Sequence, residues 1–271
     1  TRSNMVLARS AREAETAAGV PEGALQLIES TDRARVAEML TLREYIDLIV
    51  PRGGAELIRF VAENARMPVL TGGVGVCHTY VDETADLDKA VAIAVNAKTR
   101  NWSICNALDT LIVHEGAAEA FLPRIAAGWK DKGVELRCDE RALAALTKAG
   151  GAGNAVAADE EDFGKEFLAP VAAVRVVSSF DDALDHIARY STGHSDAIVT
   201  EDATNARRFT DEVDTAVVYV NASTQFTDGA QMGLGAEIID STQKTVARGP
   251  VGLREITTYK WIVQGDGQTR P

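Results

Sequence analysis

Segments with helical periodicity alternate with short runs rich in valine and isoleucine along most of this 271-residue chain. The helical segments are residues 3–18, 32–41, 54–64, 85–97, 116–130, 139–148, 180–190 and 202–212. The runs that predict strands are Leu25–Ile28, Tyr45–Val50, Val69–Leu70, Gly75–Val81, Thr110–Val113, Val134–Arg137, Val171–Val177, Asp196–Thr200 and Ala216–Asn221. Such alternation is typical of folds in which helices cover a mostly parallel sheet. We therefore predict an α/β fold.

Three stretches depart from this pattern. Residues 148–162 are small and acidic, so they predict a surface loop. Residues 223–235 are rich in Gly, Thr and Gln and also predict a loop. Residues 253–263 alternate apolar and polar side chains of the kind that favour strands. We expect this last stretch to form a terminal strand that pairs with the sheet edge of another subunit.

Composition and charge exclude several classes of function. The chain has 40 acidic and 28 basic residues, a formal charge of -12, which is the wrong sign for broad contact with a phosphate backbone. Nucleic-acid binding is therefore disfavoured. No run of about 18 apolar residues is present, so the sequence predicts no membrane span. The first residues carry no secretory signal, and we expect a cytoplasmic protein.

The cysteines and histidines do not form a recognisable ligand pattern. Cys77, Cys105 and Cys138 are widely spaced, and the histidines show no H-E-x-x-H spacing, so we predict neither a disulfide framework nor a metal site. Cys105 lies in a polar segment between a helix and a strand, with Lys98 and Arg100 nearby in sequence. Its position is compatible with a reactive thiol and with a small buried side chain, the usual state of a free cysteine.

Two glycine-containing turns follow predicted strands. They are Pro51–Gly54 and Thr71–Gly73, and each is expected to open a helix. Such a turn can bring backbone N–H groups against a phosphate, and Arg52 would add positive charge. Neither turn has the spacing G-x-G-x-x-G, and an ordinary connection between strand and helix is the commoner interpretation.

Short motifs in a fixed order run through the whole chain. They are Val50–Gly54, Val69–His78, Asn96–Thr99, Cys105–Asn106, His194–Ile198, Val220–Thr224, Gly233–Glu237, Ala247–Pro250 and Thr257–Lys260. Read together, they resemble the gamma-glutamyl phosphate reductase family, the glutamate-5-semialdehyde dehydrogenases, a branch of the aldehyde dehydrogenase superfamily. Of the two interpretations of Cys105, the resemblance favours the reactive thiol, so Cys105 is the expected nucleophile.

The resemblance implies an aldehyde dehydrogenase-like fold in three parts. Residues 1–78 would be the C-terminal part of a Rossmann-type NADPH-binding domain, residues 79–245 the α/β catalytic domain, and residues 246–271 a return segment with a short oligomerisation strand. It also implies that the family's N-terminal region, with the opening strands of the cofactor domain, is missing here.

The resemblance also assigns site residues. Cys105 would be the catalytic nucleophile, with Asn106 as a candidate donor to the oxyanion. The cofactor site would comprise Arg52, Gly53, Gly54, Thr71, Gly72 and Glu166, and the substrate pocket Asn221, Ser223 and Thr224. Among these, Glu166 would bind the nicotinamide ribose and Arg52 the pyrophosphate. No metal is implied.

The implied reaction is the NADPH-dependent reduction of L-glutamyl 5-phosphate to L-glutamate 5-semialdehyde in proline biosynthesis. It would release phosphate and pass through a thioacyl intermediate on Cys105. The implied partners are copies of the chain in a homo-oligomer and glutamate 5-kinase. Two alternatives stay open: an inactive fragment or assembly module of that enzyme, and an aldehyde-oxidising enzyme. Thr71 argues against oxidation, because it replaces the glutamate that activates water in oxidising relatives.

Overall fold

The computed structural model describes residues 2–151, 153–245 and 247–271. Contacts divide the chain into two compact units, residues 1–69 and 70–271. Thr1, Ala152 and Val246 lie outside the described residues, and with them the predicted domain limits at 1 and 246 and one position of the predicted loop at 148–162.

The first unit is helical. Its helices are α1 (Arg2–Ala17), α2 (Ala34–Met39) and α3 (Ala55–Asn64), as the sequence predicts. The predicted strands are largely wrong: Ile49 and Val69 form one isolated parallel bridge, and Leu25–Ile28 pairs with nothing among the described residues. A strand forms only where a neighbour satisfies its backbone N–H and C=O groups, and valine or isoleucine content cannot supply that neighbour.

The second unit is built on a seven-stranded parallel sheet with the order β4-β3-β5-β2-β1-β6-β7. Its strands are β1 (Cys77–Val81), β2 (Leu108–His114), β3 (Glu135–Cys138), β4 (Ala155–Ala157), β5 (Val171–Val177), β6 (Ser195–Val199) and β7 (Val217–Val220). Its helices are α4 (Leu87–Thr99), α5 (Glu115–Lys130), α6 (Glu140–Lys148), α7 (Phe180–Tyr190) and α8 (Ala203–Glu212). Short 3-10 helices span Glu160–Gly164 and Thr224–Phe226, and β8 (Ile239–Ser241) pairs antiparallel with β9 (Gly249–Val251). The predicted α/β class is confirmed.

Helices cover both faces of this sheet. Phe121 and Trp129 of α5 are fully buried in one apolar cluster, and Phe209 of α8 is fully buried in the other with Tyr80 and Ile198 of the sheet. Burying side chains of this size stabilises a fold by about 1.5–3 kcal/mol each before the entropy cost of ordering them. Sheet edges and strand ends are therefore held in fixed positions by the core.

Three short strands were missed by the sequence patterns. β4 lies in the predicted loop at 148–162, and β8 and β9 lie between the predicted loop at 223–235 and the predicted strand at 253–263, where the patterns predict no element. Each has three residues, too few for a period of two to emerge. Residues 253–263, predicted as a terminal strand, pair with no strand in the described part of this chain, and Trp261 is 85% exposed. That they pair with another subunit stays a prediction.

The first unit ends at Val69, before the domain limit placed at residue 78. The reason is that β1 begins at Cys77 and lies between β2 and β6 in the centre of the sheet, so the approach to β1 belongs to the second unit. Among the described helices, none is long and apolar enough to cross a membrane.

Asp82 closes the carboxyl end of β1 with a set of hydrogen bonds. It accepts from Tyr80 Oη at 3.0 Å, Thr200 Oγ1 at 2.6 Å and Asn205 Nδ2 at 3.2 Å, and Thr84 Oγ1 donates to it at 3.0 Å. Burial favours the neutral acid, but the hydrogen bonds outweigh it and lower the pKa of Asp82 below its usual value.

This lowered pKa makes stability depend on pH in acid. A carboxyl with a lowered folded pKa stabilises the fold above its unfolded value, about pH 4, and loses that contribution as the pH falls through its folded pKa. We expect the wild type to exceed Asp82→Asn in free energy of unfolding by about 1–3 kcal/mol at neutral pH. Denaturant titrations should show the difference shrinking below about pH 4. The exposed Asp185→Asn is the control, and a difference that does not change with pH would contradict the assignment.

Candidate active site

Cys105 lies in the loop that joins α4 to β2, at the amino edge of the parallel sheet. Because parallel strands share one direction, the first residues of neighbouring strands meet at this edge. Cys77 opens β1 and donates from Sγ to the Cys105 carbonyl at 3.2 Å, and Ser195 opens β6 directly after His194. Cys105 itself is only partly buried, so it is not an ordinary core cysteine.

The loop that carries Cys105 is fixed by close contacts on its backbone. A Cβ atom at Gly75 would lie 2.0 Å from the Cys105 carbonyl oxygen, so only glycine permits this approach. Asn106 Nδ2 donates to the Thr227 carbonyl at 2.8 Å, and Thr224 Oγ1 donates to the Asn106 carbonyl at 2.7 Å. Thr224 therefore holds the loop from its buried side, although the resemblance places it in the substrate pocket.

A chain of polar groups leads away from the thiol. Asp240 Oδ2 lies 3.8 Å from Cys105 Sγ and 3.7 Å from His194 Nε2. His194 Nδ1 is 2.9 Å from Ser195 Oγ, which lies 2.6 Å from Thr227 Oγ1. Neither His194 nor Asp240 was among the predicted site residues. The name "cysteine cluster" is used below for Cys105, His194 and Asp240.

The cysteine cluster is an acidic environment. Burial, followed by the charges of Asp240, Glu166 and Glu237, raises the pKa of Cys105 to about 12. Burial and the charge of Glu237 raise the pKa of Asp240 to about 7, and burial lowers the pKa of His194 to about 4. At neutral pH the thiol is therefore protonated and the imidazole neutral.

The cations that precede Cys105 in sequence do not form its surroundings. Lys98 is buried with Nζ 3.5 Å from Asp109 Oδ1, and Arg100 donates to Gln225 Oε1 at 3.1 Å. Their nearness in sequence brings neither side chain to the thiol, because α4 directs Lys98 into the core and Arg100 onto the 3-10 helix at residues 224–226.

Glu166 contacts Gly75, the residue that also lies against the Cys105 loop. Its Oε1 accepts from the Gly75 N–H at 3.1 Å, and burial raises the pKa of its carboxyl group. The neighbouring Phe167 N–H donates to Asp109 Oδ1 at 3.1 Å, which ties this segment to β2. The structure thus brings Glu166 to the same edge as Cys105.

Thr71 and Gly72 run beside β8. The Thr71 N–H donates to Gln243 Oε1 at 3.0 Å, and a Cβ atom at Gly72 would lie 2.6 Å from the Asp240 carbonyl. The expectation that this turn opens a helix is wrong, since the chain continues into β1. The turn instead sets the position of the strand that carries Asp240.

Asn221 and Ser223 support the backbone. Asn221 follows β7, accepts from the Thr200 N–H at 3.0 Å and donates to the Thr200 carbonyl at 2.9 Å, which fixes the carboxyl ends of β6 and β7. Ser223 Oγ accepts from the Gln225 N–H at the start of the short helix. The structure does not bring Asn221 to the cysteine cluster, because its side chain is committed to Thr200.

Arg52, Gly53 and Gly54 belong to the first unit. They immediately precede α3, and Gly54 is the N-cap residue, which gives the helix no side-chain cap. Arg52 is exposed. The first N–H groups of α3 therefore have no side-chain partner at the cap position.

Sequence comparison decides the family. The model of the aldehyde dehydrogenase family matches residues 2–145 and 154–262. The chain belongs to the aldehyde dehydrogenase family. A crystal structure of an acetylating aldehyde dehydrogenase from Geobacillus thermoglucosidasius shares the fold, with a TM-score of 0.74 at 21% identity over 97% of this chain and 66% of that chain.

Within the aldehyde dehydrogenases, the chain is most informatively compared with proteins named gamma-glutamyl phosphate reductase. It is 54% identical over 268 residues to one from Dehalococcoides mccartyi, covering 99% of this chain and 63% of the relative. The crystal structure of another, from Thermotoga maritima, has a TM-score of 0.92 at 49% identity over 99% of this chain and 64% of that chain. The chain thus spans about 63% of the length of the curated relatives it matches.

Proposed function

We propose that the chain is part of an NADPH-dependent reductase that converts L-glutamyl 5-phosphate to L-glutamate 5-semialdehyde in proline biosynthesis. The observation that carries the proposal is the partly exposed Cys105 thiol on a loop fixed by Gly75, Asn106 and Thr224. A nucleophile held in this way loses little orientational freedom when substrate arrives. The similarity to proteins named gamma-glutamyl phosphate reductase supports the choice of substrate.

The chemistry divides into two steps on Cys105. In the first, Sγ attacks the acyl carbon, the bond from carbon to the phosphate oxygen breaks, and phosphate leaves with the electron pair, so a thioester forms. Asp240 Oδ2, 3.8 Å from Sγ, takes the thiol proton. The backbone N–H of Cys105 is the proposed donor to the oxyanion; Asn106, the second candidate, is buried and its Nδ2 donates to the Thr227 carbonyl at 2.8 Å. In the second, once the thioester carbon has received a hydride, the thiohemiacetal would collapse: the bond from carbon to sulfur breaks with its electron pair on Sγ, the aldehyde leaves, and Asp240 returns the proton to the thiolate.

Several residues fit a nicotinamide cofactor. Glu166 is held by Gly75 through one oxygen, and its Oε2 has no hydrogen-bond partner in the described part of the chain, as a ribose-binding carboxylate requires. Arg52 and the uncapped start of α3 fit a pyrophosphate group. Bound NADPH supplies the hydride that reduces the thioester. Thr71 has a hydroxyl group in place of a base. It would therefore not activate water to hydrolyse the thioester before the thioester is reduced.

We also propose where the enzyme acts and which proteins it associates with. We place it in the cytoplasm, as a homo-oligomer, with glutamate 5-kinase as partner. The exposed apolar side chains of Trp261, Ile262 and Val263 support self-association, because their contact with water is unfavourable and burial against another copy of the chain would lower the free energy. A kinase partner suits an acyl phosphate, which is labile in water.

Fluorescence titration with NADPH tests whether this chain binds its cofactor. We expect saturable binding that Glu166→Gln weakens roughly tenfold or more, because a charged hydrogen bond to the ribose is lost. Glu161→Gln, an exposed glutamate in the same region, is the matched control. The activity assay follows phosphate-dependent reduction of NADP⁺ by glutamate semialdehyde. Absence of saturable binding would contradict a reductase active on its own and favour the assembly module.

A further inference from the structure

The cysteine cluster has the composition and spacing of a transition-metal site. One possible ligand atom from each of Cys105, His194 and Asp240 lies within 4.8 Å of the other two. The separations are 3.8 Å from Sγ to Oδ2 and 3.7 Å from Nε2 to Oδ2. Around tetrahedral zinc, with bonds of about 2.3 Å to sulfur and about 2.0–2.2 Å to nitrogen or oxygen, ligand atoms lie about 3.3–3.6 Å apart. For these two pairs the observed atoms need to move by only a few tenths of an ångström, and the ligand atoms of Cys105 and His194 lie no more than 4.8 Å apart.

We propose that Cys105 Sγ, His194 Nε2 and Asp240 Oδ2 bind Zn²⁺, with water in the fourth position. Binding needs no oxidant or reductant: the thiol releases its proton to solvent, and the thiolate forms the bond to the metal. Metal binding does not depend on the proposed reaction. The inhibitory consequence rests on it, since an ion that holds the nucleophile would stop the reductase.

The histidine is prepared to act as a ligand. His194 is 2% exposed, and its Nε2 has no hydrogen-bond partner among the described residues. Its Nδ1 lies 2.9 Å from Ser195 Oγ, and Ser195 continues to Thr227. With the Nδ1 proton donated to Ser195, the Nε2 lone pair faces Asp240, which is the arrangement found where a second hydrogen bond orients a metal-bound histidine.

The carboxylate of Asp240 faces the other two ligands. It is 9% exposed, its Oδ2 lies beside the Cys105 thiol and His194, and its Oδ1 has no hydrogen-bond partner within the described ranges. A buried carboxylate with one unpartnered oxygen costs free energy, and a cation bound to the group would reduce that cost. Glu237 and Glu166 add negative charge nearby, as the raised pKa values of Cys105 and Asp240 show.

The backbone holds the ligands in place. Gly75 touches the Cys105 carbonyl, and Gly72 touches the Asp240 carbonyl, at distances that admit no Cβ atom. His194 directly precedes β6. Ligands anchored on three fixed elements lose little conformational entropy when the ion binds.

The donor set selects zinc over the common hard cations. Mg²⁺ and Ca²⁺ require oxygen ligands, and one carboxylate with a thiolate and an imidazole does not meet that need. Zn²⁺ accepts sulfur, nitrogen and oxygen in tetrahedral geometry, with one position left for water. The spacing rules for local zinc motifs do not detect the site, because Cys105 and Asp240 are separated by 135 residues.

Cobalt substitution tests the site without any mutation. Co²⁺ added to the metal-free chain is expected to give the absorption of tetrahedral cobalt together with a charge-transfer band from thiolate to cobalt. Addition of Zn²⁺ should remove both signals. An octahedral cobalt spectrum without the thiolate band would overturn the proposal.

Zinc titration against a chromophoric chelator tests the individual ligands. We expect Cys105→Ser, His194→Gln and Asp240→Asn each to weaken Zn²⁺ binding by more than about 100-fold, beyond the loss typical of residues that only orient a ligand. Cys138→Ser removes a thiol outside the cluster and should leave the affinity unchanged. Equal effects of Cys138→Ser and Cys105→Ser would refute the site. Circular dichroism checks the fold of every variant, and the cobalt spectrum decides the matter if a variant fails to fold.

Discussion

Replacing Cys105 by serine is expected to abolish phosphate-dependent reduction of NADP⁺ by glutamate semialdehyde in any form of the enzyme that carries this activity. A serine hydroxyl does not ionise at neutral pH and is a far weaker nucleophile, so thioester chemistry stops. Loss of a catalytic nucleophile typically lowers kcat by roughly 10⁴-fold or more. Steady-state kinetics at saturating substrate measure the effect, since KM alone would report a binding defect.

Two other cysteines serve as controls. Cys138 is buried at the end of β3, so Cys138→Ala should lower stability and leave kcat unchanged. Cys77→Ala removes the hydrogen bond from Sγ to the Cys105 carbonyl and should also affect stability more than rate. Wild-type turnover in Cys105→Ser would exclude the covalent mechanism.

The Gly75→Ala substitution is expected to cause the largest loss of stability. Its Cβ would lie 2.0 Å from the Cys105 carbonyl oxygen and 2.8 Å from the carbonyl carbon, both backbone atoms that no side-chain rotation can move away. Relieving the overlap requires displacement of β1 or of the cysteine loop. We expect a loss of about 3 kcal/mol in the free energy of unfolding, at the upper end for overpacking.

Urea denaturation measures this loss, and Gly153→Ala provides the comparison. Gly153 is exposed, and a Cβ atom there would meet nothing within 4 Å, so its replacement should change stability by less than about 0.5 kcal/mol. Equal stability of Gly75→Ala and Gly153→Ala would mean that the Cys105 carbonyl does not lie this close to Gly75.

Much of the fold follows from periodicity. The helices and the central strands of the second unit were predictable because they are long enough to show a period and are enclosed by Gly, Asp or Ser residues. β4, β8 and β9 were not, because three residues carry no period. The segment at 253–263 alternates like a strand, yet strand formation depends on a neighbour that sequence patterning does not specify.

The site was only partly predictable. The resemblance singled out Cys105 and Glu166, and both lie at the amino edge of the sheet. His194 lies in a family-like motif but was left out of the predicted site, and Asp240 was not singled out, because both approach Cys105 only when β6 and β8 are in place and no local spacing connects them. Asn221 also lies within a family-like motif; its side chain holds the backbone of Thr200, and its place in the substrate pocket stays a prediction.

The placement of Cys105 at the amino edge affects how the thiol withstands oxidation. The helices that lead into this edge, α4 and α7, reach it with their carbonyl ends, at Thr99 and Tyr190, so their dipoles offer an anion no support. Peroxides and disulfides react with thiolates and hardly with thiols. A cysteine kept protonated by its surroundings therefore resists oxidative damage between turnovers, at the cost of needing a proton acceptor each time it attacks.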